Sequence, residues 1–267
     1  MPSQNPRMKN NLALPRPPGQ NRRSMKRLLL SLLCLCASPA PGQDAPKPDA
    51  ASTIPAALTP SPRQEPDNAK RHLSFNEISK KGEAKLVFLG DSITRRWETD
   101  GKDQWAKTWA PYQAANFGIG GDRTENILWR LQNGNYDGLK PKLTVLMIGT
   151  NNTGHRMDPA ADTAAGIKAI LEALRAKQPD MKILLLGVFP RGEKPTDPKR
   201  LRTNEINALL PPLADNKNIF FQDISTTFLQ PDGTLTKEIM PDFLHLSSKG
   251  YDLWTAAIAP RIKELME

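Results

Sequence analysis

The chain has 267 residues and a formal net charge of +9, enough for one sizeable α/β domain with tails. The charge is uneven. Residues 1–42 hold Arg7, Lys9, Arg16, Arg22, Arg23, Lys26 and Arg27 and no acid, which leaves only +2 for the remainder. A domain so close to neutrality has no electrostatic footprint for DNA or RNA, so nucleic-acid binding is excluded as a general function.

The N-terminus reads as a targeting segment. Met25-Lys26-Arg27 is a short basic start, Leu28 to Cys36 an apolar run, and Ala37-Ser38-Pro39-Ala40-Pro41-Gly42 a small-residue close. That is the layout of a secretory signal peptide, too short to span a bilayer. The expected leader is 1–42 with its core at 25–42, cut after Ala40 or Gly42. Alternatives are a twin-arginine signal at Arg22-Arg23, a true start at Met25, and a lipid anchor on Cys34 or Cys36. The expected location is extracytoplasmic: secreted or periplasmic. Both cysteines fall in the leader, so the expected mature chain has no disulfide and no cysteine metal site. Prolines crowd the next stretch, and 43–69 reads as an extended, disordered linker. The folded domain is expected over 70–267.

Within that domain, short apolar runs alternate with helical patterns. Lys85–Leu89, Gln113–Phe117, Leu143–Ile148, Lys182–Val188 and Ile219–Phe221 read as buried strands. Thr124–Leu131 and Thr203–Leu210 read as helices. Asp158-Pro159 opens a helix whose Ile167, Ile170, Leu171 and Leu174 share one face, and Pro179 ends it. Ser247 or Ser248 caps a last helix with a Tyr251, Trp254, Ile258, Ile262 stripe and a kink at Pro260. Nearly all-apolar strands separated by helices predict a parallel sheet of about five strands, covered on both faces. Chemistry is then expected in loops at the carboxyl ends of the strands.

Four of those loops carry candidate residues. Strand one runs into Gly90-Asp91-Ser92 and then a helix, which puts a serine hydroxyl and its own N–H at a sharp turn. Alone, the tripeptide is more often a helix cap. Asn116-Phe117-Gly118-Ile119-Gly120-Gly121-Asp122 follows strand two. Its glycines let backbone N–H groups approach a ligand, with Gly120 and Gly121 both open as the donor. Gly149-Thr150-Asn151-Asn152 follows strand three, and its first asparagine can donate an amide hydrogen bond to an oxyanion. Near the C-terminus stands Asp242-Phe243-Leu244-His245. Of the three histidines, His72, His155 and His245, only His245 has a carboxylate three residues before it, placed to fix the imidazole tautomer.

Together these blocks resemble the SGNH, or GDSL-type, hydrolase superfamily. The resemblance is closest to the catalytic α-subunit family of platelet-activating-factor acetylhydrolase Ib, over about residues 70–265. Leu128-Trp129-Arg130-Leu131, Asn133-Gly134 and Pro190-Arg191-Gly192-Glu193-Lys194-Pro195 share it. It implies a flavodoxin-like three-layer α/β/α sandwich. It implies Ser92 as nucleophile, Asp242 and His245 as the rest of the triad, and Ser92, Gly121 and Asn151 as the oxyanion hole, so Gly121 is chosen over Gly120. It implies no cofactor and no metal.

The expected activity is hydrolysis of short-chain, acetyl esters through an acyl-enzyme. Export points to external esters: acetylated carbohydrate first, small acetyl or phospholipid-type esters second. The expected partner is a small-molecule or glycan ester, with no nucleic acid, no stable membrane span, and a homodimer left open. Ile93, Thr150 and Leu244, adjacent in sequence to the reacting groups, are expected to bound the acyl group tightly. A non-catalytic module of the same fold is the alternative, but such a module usually loses Ser92 or His245. Members of this family often carry histidine directly after the paired asparagines. Here Thr153 stands there and His155 follows, a candidate substrate contact. Trp105, Trp109, Trp129 and Trp254 read as core, and Trp97, the best candidate among the tryptophans for a cleft wall, reads first as packing too.

Overall fold

The computed structural model describes residues 54–267. The expected leader, with Cys34, Cys36 and both cleavage positions, and the linker up to residue 53 lie outside the described residues. The domain is built on a sheet of five parallel strands. They are β1 (Leu86–Gly90), β2 (Ala114–Gly118), β3 (Leu143–Met147), β4 (Lys182–Leu186) and β5 (Ile219–Gln222). The order is β2-β1-β3-β4-β5, the flavodoxin-like arrangement. Its switch point lies between β1 and β3, where connections leave in opposite directions and open a crevice at the strand ends.

The helices are α1 (Pro66–Lys81), α2 (Ser92–Arg95), α3 (Lys102–Gln104), α4 (Thr124–Gln132), α5 (Ala160–Lys177), α6 (Pro198–Leu209) and α7 (Ser248–Met266). Strand side chains alternate between two apolar layers, as the strand period of two requires. Val87, Leu89, Leu146 and Leu185 pack with α1, α4, α5 and α6 through Phe75, Ile127, Ile170 and Ile206. Leu86, Phe88, Val145 and Leu184 face the other way. There they meet Trp97, Trp109 and the α7 stripe of Tyr251, Trp254, Ile258 and Ile262. The sheet is therefore covered on both faces, as its apolar strands demand.

Two expectations about local order change. Residues 54–69 do not read as an extended linker. Ala56–Leu58 forms a 3-10 turn whose Ala57 is buried. The Thr124 hydroxyl donates to Ala57 O at 2.8 Å, and Asn126 Nδ2 to Ser61 O at 2.8 Å. Prolines here fix an extended path that packs along α4 instead of leaving it free. Pro66 sits at the first turn of α1, where its missing N–H costs nothing. Likewise α6 begins at Pro198, five residues before the expected Thr203 start, behind an Asp197 cap that accepts from Lys199 N.

Candidate functional site

At the end of β1 the chain turns directly into α2. Asp91 caps that helix, its Oδ1 accepting from Ile93 N at 2.9 Å. The turn is possible because Gly90 and Gly118 carry no side chain. A Cβ on Gly90 would stand 2.2 Å from Thr94 Oγ1, and one on Gly118 2.2 Å from Arg95 N. The first turn of α2 is thus seated on the ends of β1 and β2. The Tyr251 hydroxyl donates to Ile93 O at 2.6 Å and ties it to α7.

This seating presents Ser92 to the loop between β5 and α7. Ser92 Oγ lies 2.9 Å from His245 Nε2, and His245 Nδ1 lies 2.7 Å from Asp242 Oδ2. The second oxygen of Asp242 accepts the backbone N–H groups of Leu244 and His245 at 3.1 and 2.7 Å. Partial burial pushes the Asp242 carboxyl up, but the hydrogen bonds from His245 outweigh it and hold it below the usual carboxylate range. An ionised Asp242 fixes the tautomer in which Nδ1 donates and Nε2 accepts from the serine. Phe243, between them, has φ +56°. Its carbonyl accepts from Gly192 N at 2.9 Å and its N–H donates to Met240 O at 2.9 Å, so the bend is held in an uncommon backbone region.

Opposite stand the turns after β2 and β3. Gly121 has φ +75°, which a side chain would strain. Asn151 is buried and donates through Nδ2 to Asp122 O at 2.9 Å. One amide hydrogen is thereby used, and the second stays free for a ligand. Two arginines brace this side. Arg63 Nη1 donates to Gly121 O at 3.1 Å, and Arg191 Nη1 to Thr150 O at 2.8 Å. Asn152 pins the loop to α4: its Oδ1 accepts from Thr124 N at 3.1 Å, and its Nδ2 donates to Asp158 Oδ2 at 3.0 Å. Volume alone would not select this place, because a larger hollow of about 620 Å³ beside Tyr136 and Lys177 holds no such groups. Among the described residues no group of three or more His, Cys, Asp or Glu is placed to hold a metal ion.

The sequence matches the GDSL-like Lipase/Acylhydrolase family over residues 88–253, more than half of the chain. The chain belongs to that family. It is 38% identical over 200 residues to platelet-activating factor acetylhydrolase IB subunit alpha1 of Homo sapiens, covering 73% of this chain and 84% of that one. It is 38% identical over 201 residues to the alpha2 subunit of Rattus norvegicus, covering 74% and 84%. The fold is similar to that of a GDSL-like lipase from Bacteroides thetaiotaomicron, at TM-score 0.60 and 23% identity over 74% of this chain and 98% of that one. It is also similar to an acetylxylan esterase from Geobacillus stearothermophilus, at TM-score 0.55 and 18% identity over 68% and 96%. As a GDSL-type acylhydrolase, the protein is a carboxylic ester hydrolase.

Around this GDSL centre the remaining expected residues divide. The opening in front of Ser92, about 590 Å³, is lined by Arg95, Glu98, Asp100, Gly120 and His245 among others. Ile93 and Thr150, expected to bound the acyl group, are 1% exposed, and the residues lining this opening include neither them nor the expected oxyanion residues Gly121 and Asn151. Leu244, half-buried, packs against the α7-side core and does not line it either. Consecutive residues at a helix start point about 100° apart, so Ile93 turns into the core as Ser92 faces out. Trp97 is fully buried against Phe88, Tyr251 and Trp254, the packing role preferred for it over a cleft wall. Trp109 and Trp254 are core as expected, and Trp129 packs on His72 in α1 at 4.8 Å between rings. His155 is exposed, its Nδ1 3.2 Å from Arg123 Nη1. Partial burial and then Arg123, Arg63 and Arg191 push its pKa down, in keeping with a ring nitrogen that accepts from Arg123.

Arg63, Asn152, Arg191 and Arg95 were not singled out by the sequence. The doubled asparagine was a signal for Asn152, since an interior loop rarely spends two amides without use. Nothing local marks Arg63, which lies in the proline-rich stretch.

Proposed function

We propose that the protein is an exported serine esterase that removes short acyl groups, acetyl first, through an acyl-enzyme on Ser92. The observation that carries this reading is the unbroken chain Ser92 Oγ, His245 Nε2, His245 Nδ1, Asp242 Oδ2, at 2.9 and 2.7 Å. In this reading His245 takes the serine proton as Oγ attacks the ester carbonyl carbon. The Ser92 and Gly121 N–H groups and the free Asn151 amide hydrogen receive the negative oxygen, each such donor being worth roughly 10²–10³ in rate. His245 then protonates the leaving alkoxide, and the alcohol departs. A water, deprotonated by His245, attacks the acyl-serine and releases the acid.

The acetyl preference is supported by the relatives at 38% identity, whose names are those of acetylhydrolases. A polar alcohol half is supported by the opening, whose lining is rich in charged side chains and holds no apolar trough for a long chain. Export rests on the basic start and apolar run of residues 25–42. No described helix is long and apolar enough to cross a membrane. Carbohydrate acetates are accordingly the first substrates to try.

The test is turnover of p-nitrophenyl acetate, butyrate and octanoate by wild type and Ser92→Ala. Expected are rates falling from acetyl to octanoyl, and a loss of roughly 10³ or more in the variant with folding intact. Near-full activity in Ser92→Ala overturns the nucleophile. A preference for octanoate overturns the acetyl assignment.

A further inference from the structure

The opening beside Ser92 holds several charges, and all but one are matched. Glu98 pairs with Arg71 through both oxygens, at 2.9 and 2.5 Å. Asp100 lies 3.7 Å from Arg96 and accepts from Thr99 Oγ1 at 3.0 Å. Arg95 is the exception. Arg95 is exposed at the rim, and among the described residues its guanidinium makes no hydrogen bond and no ion pair, although its backbone is fixed. Arg95 N donates to Asp91 O at 2.9 Å, and Arg95 O accepts from Asn116 Nδ2 at 3.2 Å.

Its position relative to the chemistry is equally definite. Arg95 follows the nucleophile by three residues on α2, and residues so spaced share a helix face. Its Nη1 lies 3.7 Å from where a Cβ on Gly120 would stand. The guanidinium therefore reaches across the mouth of the opening, next to the turn that carries Gly121. Water solvates this fork of five N–H donors in the free protein, and the ligand group that complements it is a planar or tetrahedral oxyanion.

We propose that Arg95 is a specificity residue that receives an anionic group, carboxylate or phosphate, on the alcohol half of the ester. The inference rests on the esterase reading above. An acetyl half carries no charge, so an anion brought to this rim must belong to the alcohol. The preferred substrates are then acetyl esters of acidic alcohols, such as uronates or sugar and polyol phosphates, ahead of their neutral counterparts.

The experiment compares kcat/KM for matched pairs of acetyl esters: a methyl glucuronoside against a methyl glucoside, and glycerol phosphate against glycerol. Each pair is run on wild type, Arg95→Gln and Arg95→Lys, at low and high salt. Wild type should favour the anionic member of at least one pair, and which pair responds tells carboxylate from phosphate. Arg95→Gln should lower that preference about tenfold, chiefly through KM, as loss of a charge-assisted hydrogen bond does. Arg95→Lys should retain part of it, because a point charge replaces the fork. High salt should erode the wild-type preference and leave that of Arg95→Gln unchanged. The same anionic-to-neutral ratio in all three proteins overturns the inference and leaves the esterase reading standing. A wild type inactive on every ester overturns both.

Discussion

Asp91 is the residue before the nucleophile, and it is fully buried. One oxygen caps α2, while the other has no hydrogen-bond partner among the described residues. Burial pushes its carboxyl up to about 7, with Asp122 adding to the shift and Ile93 N–H and Arg191 opposing it. Its folded pKa thus lies above the ordinary 3.8, and the folded protein holds a proton that the unfolded chain has released. Stability must then fall as pH rises from about 4 through about 7. Between pH 5 and pH 8 about two units of that shift remain, which is about 3 kcal/mol. In Asp91→Asn the amide oxygen can still cap Ile93 N–H, and nothing titrates at this place. The measurement is thermal unfolding of both proteins at pH 5 and pH 8. The wild type should lose about 3 kcal/mol more than the variant, or roughly 6–12 °C in Tm for a domain of this size. Asp122, which burial also pushes up, to about 6, stays in both proteins and largely cancels. Parallel pH dependence in the two proteins would refute the claim that Asp91 is held protonated.

Other outcomes follow from the same geometry. Asp242→Asn keeps an oxygen for the Leu244 and His245 N–H groups but turns an amide donor toward Nδ1, which favours the wrong imidazole tautomer. Its kcat on p-nitrophenyl acetate should drop roughly 10³–10⁴ with Tm little changed, and a loss below tenfold would remove Asp242 from the triad. Arg63→Ala frees the Gly121 carbonyl. It should cost about tenfold in kcat with little change in KM, since an oxyanion donor acts on the transition state; a pure KM effect would place Arg63 in substrate binding instead.

Strands were legible because each is a short apolar run closed by glycine or a turn, and their ends moved by one or two residues. The expected Lys182–Val188 run, for instance, pairs only over Lys182–Leu186. The last helix was legible down to its cap, because Tyr251, Trp254, Ile258 and Ile262 are all buried on one face. Asp158-Pro159 does open α5, at Ala160, but without a side-chain cap. Pro159 is the N-cap residue of α5, and the Asp158 carboxylate instead pairs with Arg156 and Asn152. The same dipeptide at Asp197-Pro198 does cap α6, so composition alone cannot tell the two apart. α1 was missed because its sequence is polar and starts inside a proline-rich stretch. Only Phe75 and a few polar side chains such as His72 turn inward. The four site motifs were legible because each is local to one turn. The direction of the side chains next to them was not, because Ile93 follows Ser92 in sequence yet turns into the core.

The distribution of arginines explains why α1 and the segment before it belong to the working domain although the family match begins at residue 88. β2 is an edge strand, and beyond it the chain leaves the sheet with carbonyls that no further strand can satisfy. Backbone groups so placed need partners from elsewhere. Arg130 Nη1 donates to Phe117 O at 3.0 Å, Arg71 Nε to Gly118 O at 2.6 Å, and Arg63 Nη1 to Gly121 O at 3.1 Å. Arg130 also lies 3.0 Å from Asp122, the residue whose carbonyl accepts from Asn151. A buried ion pair of this kind does little for net stability, because desolvation offsets its attraction. Its geometric effect is larger. Three guanidinium groups, from α4, α1 and the 54–65 segment, hold carbonyls at the end of β2 and in the turn that carries Gly121. The positioning of the oxyanion side therefore draws on arginines outside the four blocks that carry the reacting groups, two of which, Arg63 and Arg71, lie ahead of the family match.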